Sequence, residues 1–209
     1  MKLAKESTLG EEIFNAITHG VGAILSIVAL VLLLIKAESL KETIVVTIFS
    51  LSSLMLYLMS TLFHSFPKGT TKNVFQRFDH LAIYLMIAGT YTPFSLLLLK
   101  PSTAYPLLAF QWVLAIVGII LKAIWVKKFK HVHIIIFLLM GWSSIVLIKP
   151  IIEAFSGMGV MFLLLGGISY SIGVIFYVFS LFKFHHAIWH LFVMLGTFFH
   201  FLSLYFYLL

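Results

Sequence analysis

Residues 17–35 read ITHGVGAILSIVALVLLLI, without a single Asp, Glu, Lys or Arg. A helix rises about 1.5 Å per residue, and about 20 apolar residues cross the hydrocarbon core of a bilayer. The run therefore reads as a membrane-spanning helix. Working along the chain, comparable runs recur at about 44–66, 80–99, 104–126, 132–148, 159–182 and 187–209. Charged or Pro/Gly-bearing breaks separate them: Lys36 to Glu42, Pro67 to Arg77, Lys100 to Ser102, Lys127 to Lys130, Lys149 to Gly157 and Lys183 to His185. Seven such spans use about 140 residues, so the chain is expected to be one all-α domain, a seven-helix transmembrane bundle over residues 1–209.

Composition agrees. The 209 residues are 62% hydrophobic and 10% charged, whereas a water-soluble domain carries about 25% charged residues. A soluble globule and a disordered chain are both excluded. The absence of cysteine excludes disulfides and thiolate metal sites. The excess of 14 Lys and Arg over 7 acids points to loop placement rather than to nucleic acid, because cytoplasmic loops of membrane proteins collect cations. Lys2, Lys5, Lys68, Lys72, Arg77, Lys122, Lys127, Lys128, Lys130 and Lys183 fall on one side, with Lys36, Lys41, Lys100 and Lys149 on the other. That bias predicts a cytoplasmic N-terminus and an external C-terminus. No small-residue cleavage site accompanies the first run, which reads as a retained span.

The nine histidines outnumber the acids. On this map His19, His64, His80, His131, His133, His185, His186 and His190 gather at the cytoplasmic end, and His200 alone lies deeper. His186 and His190, in the run Phe-His-His-Ala-Ile-Trp-His, are spaced i, i+4. That spacing sets two imidazoles on one helix face about 5–6 Å apart at Cβ, as two metal ligands require. His64 closes the second span, with Ser60 one turn away on the same face. Asp79 is expected to begin the third span beside His80. Ionisable groups at membrane depth are costly unless paired or metal-bound. Three imidazoles with an open fourth position describe a zinc site, and Asp79 would orient or deprotonate the water there. His200, ten residues past His190 and so about 15 Å along the axis, is expected to make an interhelical hydrogen bond instead. Glu12, Asn15 and His19 form a polar stripe that opens the first helix and continues into its apolar run. It is either a solvated helix start or a face lying against the polar pocket, where these residues and His80 would support the metal ligands from behind. Gly166, Gly167, Ser169, Ser171 and Gly173 predict close helix approach on the sixth span, and Pro93 a kink in the third.

Taken together, these motifs resemble the hemolysin III family and its relatives, the adiponectin and progestin receptor-like membrane proteins. The resemblance covers nearly the whole chain. It rests on Glu12-x-x-Asn15-x-x-Thr18-His19, Ser60-x-x-x-His64, Asp79-His80, the run from Ala88 to Pro93, and His186-x-x-x-His190. It implies zinc near the cytoplasmic leaflet held by His64, His186 and His190, with Asp79 contacting the zinc-bound water and Ser60 close by. The short N-terminal segment resembles a bacterial-type member, implying a plasma-membrane location. The wider family is similar to alkaline ceramidases, which implies hydrolysis of a lipid amide or ester with a membrane lipid as substrate. Asp79 would then accept a proton from water, and Ser60 would hydrogen-bond the developing oxyanion. The alternatives are a non-enzymatic sensor or regulator with structural zinc, a cytolytic pore-former, and a proton-coupled transporter.

Overall fold

A computed structural model of the chain describes residues 7–125, 129–180 and 182–209. Lys2, Lys5, Lys127 and Lys128, which weigh in the charge count above, lie outside them. The described helices are α1 (Leu9–Lys36), α2 (Leu40–Ser65), α3 (Thr70–Pro93), α4 (Pro101–Ile124), α5 (Lys130–Trp142), α6 (Ile148–Ala154), α7 (Gly157–Val178) and α8 (His185–Ser203). Seven spans are long and apolar enough to cross a membrane, the fifth being α5 and α6 joined through residues 143–147. Each span packs on the next along the chain, and α8 closes the bundle against α1.

Several helices begin earlier than the apolar runs. α1 starts at Leu9, not near Ile17, because Thr8 and Glu11 form a reciprocal cap: the Glu11 backbone donates to Thr8 Oγ1, and the Thr8 backbone to the Glu11 carboxylate. Ser39 and Glu42 start α2 the same way. α3 starts at Thr70, ten residues before the apolar run, since its first turns carry Lys72 and Arg77 and hydropathy does not register them. Asp79 and His80 therefore do not begin the third span. They lie about two and a half turns inside it, and this depth places Asp79 among other helices rather than at a loop.

The fifth span also runs further than expected, to Ala154. Its helix tightens at Ser143–Leu147, and polar side chains from two neighbours serve the break. Gln111 Nε2 donates to Met140 O at 2.9 Å and to Ser143 Oγ at 2.6 Å. Tyr91 Oη donates to Gly141 O at 2.7 Å and accepts from the Ser144 backbone at 3.2 Å. Inside a bilayer such backbone groups have no water to turn to. Pro93 marks where α3 widens into a π turn, Phe94–Leu98, and α8 ends in another, Leu204–Leu208. Both turns receive a lysine from the facing ends of α1 and α2: Lys41 Nζ donates to Leu96 O at 2.6 Å, and Lys36 Nζ donates to Tyr205 O. Cations are favoured at these negative helix ends.

α7 and α8 approach closely through the small residues on α7, as the sequence predicts. A Cβ on Gly166 would stand 2.2 Å from His200 Nε2, so only glycine admits that imidazole. His200 crosses to accept its place by donating from Nε2 to Leu163 O at 3.1 Å, the interhelical bond expected of it. By contrast, the fifth span is packed sparsely: 11% of its apolar stretch is buried, against 56% of the third's. The space left beside it, between α3, α7 and α8, is the interior cavity.

Candidate metal centre

The end of α2 and the first turns of α8 meet at one end of the bundle. His64, His186 and His190 each offer a ring nitrogen there, and the three nitrogens lie within 4.8 Å of one another. Two nitrogens on one tetrahedral zinc stand about 3.4 Å apart, so a closure of roughly an ångström completes a three-imidazole site. His64 and His190 are buried and His186 is half-buried.

The hydrogen bonds behind these rings test whether a cation fits. His64 Nδ1 donates to Glu12 Oε2 at 2.8 Å. Its Nε2 is buried and has no hydrogen-bond partner among the described residues. His190 Nδ1 donates to Asn15 O at 3.2 Å and lies 3.0 Å from Thr18 Oγ1. In both rings the proton sits on Nδ1, which leaves the Nε2 lone pair facing the cluster. Metal-bound histidines are held in this way, by a carboxylate or carbonyl on the second nitrogen. An orphaned imidazole nitrogen inside a bilayer is costly, and a cation would satisfy it. The cluster can hold a metal ion.

The polar stripe on α1 is thus a face against the pocket. Glu12 also accepts from Lys72 Nζ at 2.9 Å, and the same ammonium donates to Phe63 O and Phe66 O at the end of α2. Asn15 is buried between the two ligand helices, its Nδ2 at 3.5 Å from His64 Nδ1. His19 stacks on His190 with ring centroids 3.5 Å apart and planes within 12°. Lone pairs lie in the ring plane, so two parallel stacked imidazoles do not converge on one ion. His19 is a buried neighbour of the ligands, not a fourth member of the set.

Asp79 is buried on α3 beside Ser60, near enough for the charges of His64 and Lys122 to act on it, and Tyr177 of α7 lies close by. Ser60, also buried, sits one turn before His64 on α2. His80 lines the cavity beside Asp79. The remaining histidines of this end stay apart. His133 meets Tyr84 Oη at 2.6 Å through Nδ1, His185 donates from Nδ1 to Phe176 O at 2.8 Å, and His131 is exposed. Sequence reasoning missed Lys72, Tyr177 and Lys122 as neighbours of the site. A regular spacing on α1 does mark Thr18, but nothing local marks a lysine that reaches from another helix.

The cavity has a volume of about 440 Å³, within the range of small-molecule sites. Asp79, His186 and His190 line its polar end, and Leu98, Ile151 and Val160 its far end. Most of the wall is aliphatic or aromatic. The arrangement is a deep apolar chamber headed by imidazoles and one carboxylate.

The chain matches the model of a family described as "Haemolysin-III related" over residues 7–201. It is 49% identical over 193 residues to the Hemolysin-3 homolog of Bacillus subtilis (strain 168), covering 91% of each chain. It is 47% identical over 202 residues to Hemolysin-3 of Bacillus cereus, covering 95% of this chain and 92% of the relative. The human monocyte to macrophage differentiation factor is 30% identical over 207 residues, 96% of this chain and 86% of its own.

Proposed function

The chain belongs to the haemolysin-III related family, and from that premise we propose that it is a zinc-dependent hydrolase of a lipid amide or ester. In this reading it resides in a bacterial plasma membrane with its histidine end at the cytoplasmic face. The observation that carries the reading is the buried three-imidazole cluster set beside Asp79 at the head of an apolar cavity. Orientation follows from the cation bias, ten residues against four.

His64, His186 and His190 would hold the zinc. When bound, zinc supplies Lewis acidity and lowers the pKa of water to about 7. The chain's own groups do the rest. The cavity takes up the acyl chain and keeps water from it. Asp79 accepts the proton of the attacking water, and Ser60 donates a hydrogen bond to the substrate oxygen as charge develops there. Glu12 and the backbone of Asn15 fix the orientation of two ligand imidazoles. The test is release of fatty acid from vesicle lipids by purified, zinc-loaded protein. Asp79→Asn should abolish release with zinc retained, and undiminished release in that variant rejects the mechanism.

A second reading is a membrane regulator in which zinc is structural. It is favoured by the way the cluster ties α2 to α8, with α1 bonded to both rings from behind. Metal there would supply folding energy directly. This reading expects no turnover, and expects His186→Ala to act mainly on thermal stability. A third, cytolysis, follows the names of the two Bacillus relatives; it expects lysis of vesicles or cells by the purified protein.

A further inference from the structure

α7 and α8 exchange rings across their seam. Tyr170 of α7 lies over Gly196 of α8, where an added Cβ would stand 2.7 Å from the ring, and His200 of α8 lies over Gly166 of α7. The two rings are neighbours, with centroids 5.5 Å apart, and both line the interior cavity. His200 is only 7% exposed. Its Nε2 meets Leu163 O at 3.1 Å. A carbonyl only accepts, so Nε2 carries the proton and Nδ1 presents a lone pair. The two nitrogens of an imidazole point in nearly opposite directions, so Nδ1 turns away from α7, to the cavity side of the ring.

The hydroxyls of this seam spend their protons elsewhere. Thr197 and Ser203 flank His200 on α8, and they donate to Val193 O at 3.0 Å and to Gly159 O at 2.8 Å. With the Thr197 proton used, Tyr170 Oη donates to Thr197 Oγ1 at 2.9 Å. His200 Nδ1 has no hydrogen-bond partner among the described residues, a costly condition inside a bilayer. Phe94, Leu163 and Val193 make the neighbouring wall apolar. One acceptor in such a wall suits a ligand that is apolar apart from one donor.

We propose that the cavity takes an acyl chain carrying a hydroxyl along its length, and that His200 Nδ1 accepts the hydrogen bond of that hydroxyl. His200 lies ten residues past His190, about 15 Å along the axis, so the hydroxyl sits well down the chain from its head. A hydroxyl beside the amide or ester would fall at the imidazole end and miss His200. The inference names a substrate class for the hydrolase reading, a lipid with a hydroxylated acyl chain. Placing the head of the chain at the imidazoles rests on that reading, whereas the hydroxyl site does not. A plain chain leaves Nδ1 unpaired and is held less tightly.

The experiment is calorimetric titration of the purified, metal-loaded protein with oleic acid and with ricinoleic acid, which differ by one mid-chain hydroxyl. Ricinoleic acid should bind about tenfold more tightly. α-Hydroxyoleic acid, with its hydroxyl beside the carboxyl, should bind no better than oleic acid. His200→Phe keeps a ring in the seam and removes the acceptor, so it should hold oleic and ricinoleic acids equally. Equal affinities in the wild type, an α-hydroxy acid as tight as ricinoleic acid, or a preference that survives His200→Phe each overturn the inference. Should His200→Phe fail to fold, the comparison of the three acids on the wild type decides. The same titrations with the ethanolamides tell an acyl lipid from a free acid, the form with the larger preference being the ligand. Fatty-acid release measured alongside separates the two proposals. A tenfold preference without turnover rejects the hydrolase and keeps the hydroxyl site, and turnover with equal affinities does the reverse.

Discussion

Glu12 on α1 accepts a hydrogen bond from His64 Nδ1 on α2 at 2.8 Å, and that single contact fixes which nitrogen of His64 faces the centre of the cluster. The carboxylate also accepts from Lys72, so its own position is held from α3. A ligand whose tautomer and ring orientation are set before metal arrives pays less ordering entropy on binding. Glu12→Gln preserves the shape and removes the charge. Metal affinity should fall about 10–100-fold, measured by competition with a chelator; unchanged affinity would show that Glu12 serves only the ion pair with Lys72.

The cluster itself makes a sharper demand. His64→Ala, His186→Ala and His190→Ala should each strip the purified protein of most of its metal, measured by elemental analysis. His133→Ala and His185→Ala should not, because those rings bond Tyr84 and Phe176 O away from the site. Equal loss across all five variants would mean that the metal follows general stability and not this geometry.

Close approach of α7 and α8 can be tested with two neighbouring glycines. A Cβ on Gly166 would press on His200 at 2.2 Å, whereas one on Gly167 meets nothing closer than Trp142 at 3.8 Å. Gly166→Ala should destabilise by about 1–3 kcal/mol through overpacking. Gly167→Ala should be neutral or stabilise slightly, as alanine is the better helix former. Thermal unfolding of the two variants side by side decides, and a similar effect from both would contradict the packing described.

The cavity can be closed from its apolar side without touching a ligand. Leu163 lines it from α7, on the side of His200. Leu163→Trp should reduce both co-purified lipid and fatty-acid release while metal content stays at the wild-type level. Release that survives a filled cavity would place the substrate elsewhere.

Much of this architecture is written in one dimension. Apolar runs of sufficient length specify membrane spans because the bilayer core admits only a backbone that satisfies itself, and the i, i+4 spacing of His186 and His190 sets two imidazoles on one face whatever surrounds them. Helix starts were less legible, since α3 opens with Lys72 and Arg77 in turns that hydropathy passes over. Lys122 counts among the loop cations in the sequence yet is buried in the last turn of α4, for a related reason: a charge count registers a residue's place along the chain but not the direction of its side chain.

Membrane residence, seven spans and the shared face of His186 and His190 thus follow from composition, period and order alone, because each depends on a residue's relation to its own helix or to the lipid. Glu12 behind His64, His19 stacked on His190, and Lys72 reaching Glu12 from α3 depend instead on how each helix is rotated and staggered against its neighbours. Those relations are set jointly by glycines such as Gly118 and Gly166, by helix caps, and by the sparse packing of the fifth span. Pattern along one helix carries no information about the face that another helix turns towards it, and assembly of the bundle is what brings the carboxylates and cations to the site.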